Sequence, residues 1–181
     1  MDLPILTVET APTASQPVLE GIAADLGFVP NLAATIAASP TLLRGVDGLR
    51  RAGGDESFDP RLRETAGVAV GVAADNAYGV AFHSTVLGRL GVGESDIEAM
   101  RQGSEPSGAK PAAAYAFARA LVLDRGAVDP SVIERALAAG LTRPDLLQLV
   151  AECVFASLVG FVDNLAGHVE LDEFLRPQAW K

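Results

Sequence analysis

The sequence is poor in the residues that carry redox, metal and nucleic-acid chemistry. Its 181 residues include one cysteine, two histidines and 14 basic against 23 acidic side chains, for a net charge of -9. A lone Cys153 cannot form an internal disulfide or a thiolate zinc site, so nothing points to an oxidising compartment. Two histidines without ligand-spaced carboxylates predict no metal site. The acidic excess opposes binding to nucleic acid or to an anionic membrane surface.

Long apolar runs and targeting signals are also missing. The longest apolar run, TAGVAVGVAA from Thr65 to Ala74, is far shorter than the roughly 20 residues of a membrane span and predicts a buried helix. The opening residues MDLPILTVET lack the basic and apolar regions of a secretory signal. Glycine-rich phosphate loops and serine nucleophile elbows are absent as well. We therefore expect a cytoplasmic protein without a cofactor and without nucleic-acid or membrane partners.

The pattern that is present is helical throughout. No segment alternates apolar and polar residues as a half-buried strand does. Prolines precede Ala- or Leu-rich stretches, as first-turn prolines do, and glycines fall where those stretches end. We predict one all-α domain over residues 1–181 with eight or nine helices, the last of them long. Their predicted ranges are 16–26, 31–38, 41–52, 60–74, 77–90, 95–102, 111–125, 130–139 and 145–167.

Capping residues and glycines in the sequence support several of these helix boundaries. Ser15 precedes a proline and a glutamate in the pattern of a capping box, and Gly27 follows the first helix. The pair Gly53-Gly54 predicts the end of the third helix. These signals are local, so they predict where helices begin and end but not which helices pack together.

Two segments of the chain are similar in sequence. RLGVGESDIEAM and AAGLTRPDLLQL match at a constant offset that aligns Gly91 with Gly140 and Asp96 with Asp145. The match suggests an internal duplication of a helix-turn-helix unit. The rival explanation is chance, because a glycine followed by an aspartate is a common way to end one helix and begin the next.

Five residues in the predicted fourth and fifth helices share an informative spacing. Glu64, Asn76, Tyr78, Gly79 and His83 follow the pattern E-x11-C-x-Y-C-x3-H, with asparagine and glycine at the two cysteine positions. In this spacing the chain resembles the alkyl hydroperoxidase D-like branch of the carboxymuconolactone decarboxylase family. The segments LGFVPNLAATIAASPTLLRG, FDPRLRETAGVAV and FVDNLAGHVELDEF are similar to peroxidase-related members of that family, so the resemblance spans most of the chain.

The resemblance implies a chemistry that this chain cannot perform in the usual way. In the family, one thiolate attacks the peroxide, the second closes a disulfide, and the glutamate and histidine relay protons. Asn76 and Gly79 supply no nucleophile and no electron pair. Cys153 lies in LVAECVFASLV, where a buried, inert thiol is the favoured interpretation. Residual alkyl hydroperoxide reductase activity is therefore the least favoured function.

A carboxylate and an imidazole survive from the motif. Glu64 and His83 lie on consecutive predicted helices, and an antiparallel pair would bring them within hydrogen-bonding reach. Such a pair suits general acid–base work on a small organic substrate, for example decarboxylation, enolisation or lactone isomerisation. The resemblance implies the same, because the decarboxylase branch works without a redox thiol pair. The alternative is that Glu64 pairs only with Arg61 or Arg63 and that His83 is a satisfied core histidine.

Other polar residues are weaker candidates for a pocket. Asn31 follows a proline and is either a structural cap or a pocket residue. Tyr78 either packs its ring or donates a proton. Asn164 and His168 lie on the predicted final helix, where they either line one cavity or form a solvated helix end.

Two functions of different class therefore remain open. The first is a thiol-independent enzyme that uses His83 and Glu64, and the second is a non-catalytic protein that binds a small ligand or serves in an assembly. The apolar C-terminal segment LVAECVFASLVGFV offers more apolar face than a small helical domain covers, so we predict self-association. The resemblance implies a homo-oligomer as well, with dimer, trimer and hexamer all open.

Overall fold

The computed structural model describes residues 1–53 and 58–181, and within them every regular element is a helix. This confirms the predicted all-α class, and each predicted boundary lies within two residues of the observed one. Gly54 of the predicted Gly53-Gly54 end lies outside the described residues. The helices are α1 Gln16–Leu26, α2 Asn31–Ile36, α3 Pro40–Gly53, α4 Pro60–Ala73, α5 Ala77–Arg89, α6 Glu94–Arg101, α7 Ala109–Leu123, α8 Pro130–Ala138 and α9 Arg143–Ala166, followed by a 3-10 helix at Glu173–Gln178.

Side-chain caps start several helices, but not the first. Asp59 and Asp129 accept backbone hydrogen bonds at the starts of α4 and α8, and Thr142 forms a capping box with Asp145 at α9. Ser15 lies at the N-cap position of α1, as predicted, but its side chain makes no capping hydrogen bond. Its buried hydroxyl donates to the carbonyl oxygen of Ala37 at 2.7 Å, so it ties α1 to the end of α2.

The two similar segments, around Gly91 and Gly140, adopt the same turn. Gly91 and Gly140 both take left-handed backbone conformations, with φ of 78° and 89°. After each glycine, a backbone N–H bonds back into the preceding helix, from Val92 to Leu87 and from Leu141 to Ala136. The local geometry is thus repeated, and the duplication remains a hypothesis.

The centre of the molecule is α4, which packs against α5, α7 and α9. Its buried positions are mostly alanine, glycine and valine, so neighbouring helices can approach closely. One apolar cluster joins α4 to α6, α7, α8 and α9, and a second joins α1, α2, α3, α5 and α9. The α4, α5 and α9 helices meet between the two clusters, and this junction holds the site described below.

The α9 helix has two different faces. One face lies in both apolar clusters. The opposite face exposes Leu147, Val154, Phe161 and Leu165. By length and composition alone, α9 could cross a membrane, and it is the one such helix among residues 1–53 and 58–181. A core helix with a buried face satisfies the same criterion, so this finding is weak evidence by itself.

Candidate functional site

The turn between α4 and α5 is closed by Asn76. Its Oδ1 accepts the backbone N–H of Gly79 at 2.8 Å, which makes Asn76 the N-cap of α5. Asp75 precedes it with a φ of 54° and reverses the chain. The predicted cap is therefore present, and α5 folds back along α4 so that side chains from the two helices face each other.

This hairpin brings Glu64 and His83 together. Nδ1 of His83 lies 2.7 Å from Oε2 of Glu64, and the two residues are only 8% and 5% exposed. The other carboxylate oxygen accepts from Nε of Arg63 at 3.0 Å. Arg61 instead donates to the carbonyl oxygen of Leu90. Glu64 thus contacts both the histidine expected of a relay and one of the arginines expected of a surface ion pair.

The electrostatic balance favours an ionised Glu64. Burial alone raises the pKa of this carboxyl, but the hydrogen bonds and charges of His83 and Arg63 outweigh it, so the pKa lies below its usual value. An ionised Glu64 accepts a hydrogen bond from Nδ1–H of the imidazole. The Nε2 atom is then the one available to take up or release a proton.

A glycine on α4 makes room for the imidazole. A Cβ atom at Gly67 would lie 2.4 Å from three atoms of the His83 ring, so the ring packs directly against the α4 backbone. Phe82 meets the same ring edge to face, with 5.5 Å between ring centres. His83 is therefore held in position by packing as well as by its bond to Glu64.

Glu152 on α9 is a third buried titratable group in this neighbourhood, and the sequence reasoning missed it. Its Oε1 accepts from Nε2 of Gln148 at 2.9 Å, and it packs against Gly53. Burial raises its pKa, and the charge of Glu64 acts in the same direction, against the opposing effects of Gln148, Arg63 and His83. A lone acidic residue inside the apolar run LVAECVFASLV was the available signal.

The two positions aligned with redox cysteines hold a tightly fitted amide. Asn76 is 1% exposed. A Cβ atom at Gly79 would lie 2.5 Å from its Nδ2, and one at Gly160 of α9 would lie 2.9 Å from the same atom. The amide therefore fills a slot between two glycines of different helices. Gly160 was also missed, because nothing local marks it as a neighbour of Asn76.

Tyr78 and Asn31 bind the C-terminal segment. The buried Tyr78 donates its hydroxyl to Asp172, and burial together with that carboxylate raises its pKa. The backbone N–H of Asn31 also donates to Asp172, at 3.2 Å, and its side chain donates to the carbonyl oxygen of Glu170. Tyr78 thus packs its ring and donates a hydrogen bond, while the Asn31 side chain bonds this segment and does not cap α2.

Asn164 and His168 do not share a helix. α9 ends at Ala166, and Gly167 terminates it in a left-handed conformation with φ of 76°. His168 lines a surface cavity of about 270 Å³ together with Tyr78 and Trp180. Asn164 is not among the lining residues, and it donates to the carbonyl oxygen of Ala74 at 2.7 Å. Neither this cavity nor a second one of about 250 Å³ is lined by Glu64 or His83.

Cys153 is placed where its thiol cannot react readily. It is 2% exposed, and burial together with the charge of Glu152 raises its pKa to about 12. No group of three or more potential metal-ligating side chains occurs in the part of the chain that the structure describes.

A family model matches the middle of the chain. The sequence model of the carboxymuconolactone decarboxylase family matches residues 40–122, the region that carries Glu64 and His83. Over these residues the chain is similar to that family, and its fold is that of AhpD-like solved structures. No curated protein matches the chain significantly.

Solved structures match the fold over nearly the whole chain. An AhpD-core, peroxidase-related protein from Ralstonia eutropha JMP134 has a TM-score of 0.80 at 21% identity, covering 95% of this chain and 93% of its own. A peroxidase-related protein from Silicibacter sp. TM1040 has a TM-score of 0.79 at 18% identity, with coverages of 98% and 94%. The debrominase Bmp8, solved as an alanine variant of one cysteine in complex with 2,3,4-tribromopyrrole, has a TM-score of 0.77 at 20% identity, with coverages of 97% and 94%.

Proposed function

We propose that this protein is a thiol-independent acid–base enzyme that acts on a small organic substrate through His83 and Glu64. The observation that carries the proposal is the buried bond of 2.7 Å between Nδ1 of His83 and Oε2 of Glu64. A carboxylate with a lowered pKa fixes the imidazole tautomer and stabilises the imidazolium that forms during proton transfer. The pair therefore has the parts of a general base oriented by a carboxylate.

The reaction class follows from what the pair can do without thiols. Nε2 of His83 removes a proton from a carbon next to a carbonyl or carboxyl group, and the electrons of that C–H bond move into an enolate. Nε2 then delivers a proton to a different carbon, which isomerises the substrate, and no outside oxidant or reductant is needed. Glu152, whose pKa burial raises, is a further titratable group near this pair.

Turnover on defined probes tests this proposal. Unsaturated lactone carboxylates and 3-oxo acids would be incubated in D2O, with deuterium incorporation and product formation followed by NMR. We expect turnover by the wild type and a loss of about 100-fold or more in His83→Ala and Glu64→Gln. The exposed Glu20→Gln on α1 is the matched control and should keep wild-type rates. Equal rates in Glu64→Gln and Glu20→Gln would remove the catalytic role of the pair.

A second candidate function is non-catalytic binding or assembly on the same scaffold. It is favoured by the low exposure of the pair and by the absence of Glu64 and His83 from the lining of either cavity. The tribromopyrrole bound by the debrominase relative is a useful probe, because it is small, planar and apolar. Thermal stabilisation by this probe without turnover of any substrate in the panel would favour the binder.

Residual alkyl hydroperoxide reductase activity is the third and weakest candidate. It would have to use Cys153, whose thiol is buried and has a raised pKa. Any hydroperoxide reduction by the wild type that disappears in Cys153→Ala would support it. Homo-oligomerisation and a cytoplasmic location complete the proposal and follow from the sequence interpretation.

A further inference from the structure

A second histidine–carboxylate contact follows the end of α9. Nδ1 of His168 lies 3.2 Å from Oδ2 of Asp163. Asp163 is fully buried, and its carboxylate also accepts the backbone N–H groups of Val169 at 2.7 Å and of Tyr78 at 3.3 Å. An ionised carboxylate only accepts hydrogen bonds, so Nδ1 of His168 carries the hydrogen of this contact. The imidazole is thus held in one tautomer by a carboxylate that three donors keep in place.

This imidazole lines the surface cavity of about 270 Å³, and its side chain is 52% exposed. Two other polar side chains of the lining already have partners. The hydroxyl of Tyr78 donates to Asp172, and Nζ of Lys181 lies 2.5 Å from Oδ1 of Asp75. In the part of the chain that the structure describes, Nε2 of His168 has no hydrogen-bond partner. This nitrogen is therefore available to a ligand in the cavity.

Backbone strain is concentrated at the same cavity. Four non-glycine residues of the described chain take left-handed backbone conformations. Three of the four line this cavity, with φ of 54° at Asp75, 71° at His168 and 65° at Lys181. Side chains disfavour this conformation, and residues that adopt it cluster at active sites and ligand clamps. The strain is an observation independent of the hydrogen bonds, and it points to a binding site at the same place.

The lining favours a small aromatic ligand. Apart from the polar groups, it consists of apolar and aromatic side chains: Ala77, Tyr78, Val169, Leu171, Ala179 and Trp180. Nε1 of Trp180 donates to the carbonyl oxygen of Arg101 at 3.1 Å, which holds the indole in place. Aromatic rings pack well against one another. The cavity is slightly smaller than the pockets that take drug-sized molecules, so it suits a ligand with one ring.

We propose that this cavity binds a phenol, with its ring against Trp180 and its hydroxyl donating to Nε2 of His168. A neutral imidazole whose Nδ1 carries the hydrogen offers an acceptor at Nε2, and a phenolic hydroxyl is the matching donor. An anionic ligand would instead approach Asp75 and a chain of net charge -9. The proposal does not depend on the proposed enzymatic function, because neither Glu64 nor His83 lines this cavity.

Fluorescence tests the class of ligand, because Trp180 is the only tryptophan in the sequence. We would titrate the wild type with 4-methylphenol, 4-methylanisole and 4-methylbenzoate. We expect 4-methylphenol to change the Trp180 emission with saturation, at a dissociation constant of about 1 mM or below. The methyl ether lacks the donor and the benzoate is anionic, so each should bind about 10-fold more weakly or worse. A phenol that does not saturate, or either other probe binding as tightly as the phenol, would overturn the proposal.

A pair of matched variants tests the hydrogen bond to the imidazole. His168→Ala should weaken the binding of 4-methylphenol about 10-fold and leave that of 4-methylanisole nearly unchanged. Arg125→Ala is the control, because Arg125 also takes a left-handed conformation, with φ of 52°, and does not line the cavity. This control should bind both probes as the wild type does. Equal losses in the two variants, or equal losses of phenol and ether in His168→Ala, would overturn the assignment of His168.

Discussion

Two buried polar side chains of the α5 region, those of Asn76 and His83, are held in place by different physical interactions. At the start of α5, Asn76 is fitted between Gly79 and Gly160, and shape governs the contact. Two turns later, His83 is bound to Glu64, and charge governs the contact. Glycine is essential to both, since Gly67 makes room for the imidazole as Gly79 and Gly160 do for the amide. In the alignment with the family motif, the two cysteine positions hold the fitted Asn76 and a glycine, while the glutamate and histidine positions hold the bonded pair Glu64 and His83.

We call the Asn76 contact the fitted half of the site and the contact between Glu64 and His83 the charged half. We expect the two halves to respond differently to added volume and to pH. Adding volume should damage both halves, because both depend on close approach of helices. Changing pH should affect only the half that contains titratable groups. The four predictions below use these two variables, beginning with the largest expected effect.

Gly67→Ala should damage the charged half most. Its methyl group would lie 2.4 Å from three atoms of the His83 ring, so the ring must move and Glu64 must lose its partner. Leaving a buried, ionised carboxylate without its hydrogen-bond donor costs about 3 kcal/mol, and we expect a loss of at least this size in the free energy of unfolding in urea. Gly45→Ala on α3 is the control, since no atom lies within 4 Å of its added methyl group. Equal stability of the two variants would contradict the described packing.

A double-mutant cycle on Asn76 and Gly79 measures the fitted half. Gly79→Ala alone should cost about 1–3 kcal/mol through overpacking against the amide. In the Asn76→Ala background the same change should be neutral or stabilising, because the obstructing atom is gone and alanine favours helix. Gly48→Ala, which meets open space, should have the same effect in both backgrounds. A coupling energy near zero would show that the contact is not tight.

Glu152→Gln tests the pH dependence of the charged half. The folded-state pKa of Glu152 is raised, so the wild type loses the stability contributed by this group as pH rises through that pKa. The free energy of unfolding of the variant should exceed that of the wild type by about 1 kcal/mol at pH 7. This difference should vanish below about pH 4, where Glu152 is protonated in both the folded and the unfolded state. Glu64→Gln should show the opposite sign, since the pKa of Glu64 is lowered. Urea unfolding across this pH range gives both curves, and curves of the same sign would contradict the assignment.

Asn76→Cys with Gly79→Cys asks whether the fitted half can regain redox chemistry. The two changes remove the obstructing amide and place two thiols one turn apart at the start of α5, where the helix dipole lowers a thiol pKa. We expect a reversible internal disulfide and weak hydroperoxide turnover that is lost in the His83→Ala background. Thiol titration and peroxide consumption measure both effects. A folded double variant whose new thiols never pair would refute the alignment with the redox motif.

Local sequence signals predicted the helices and the central contact. First-turn prolines, aspartate caps and end glycines act within a few residues of the boundaries they set, so they can be read without a structure. Glu64 and His83 were found because their spacing matches the family motif, and their contact was expected because a short hairpin packs two consecutive helices against each other. The catalytic role of that pair remains a prediction.

Contacts between elements that are far apart in the sequence could not be predicted from local signals. Ser15 has a sequence typical of a cap, but its hydroxyl bonds Ala37 instead. Glu152 joins the site through α9, and Asp172 reaches Tyr78 across 94 residues. Such partners depend on how helices cross, which is a property of the packed core and not of any short segment.

The buried Cys153 provides the protein with an internal reporter of its own opening. The thiol is 2% exposed, with a pKa raised to about 12, in the apolar cluster that joins α9 to α4 and α7. A thiol reagent can therefore modify it only when that cluster opens, and the labelling rate in native buffer follows the population of open molecules. The rate at which a thiol reagent modifies this one cysteine would thus report the opening of this core without the introduction of another cysteine.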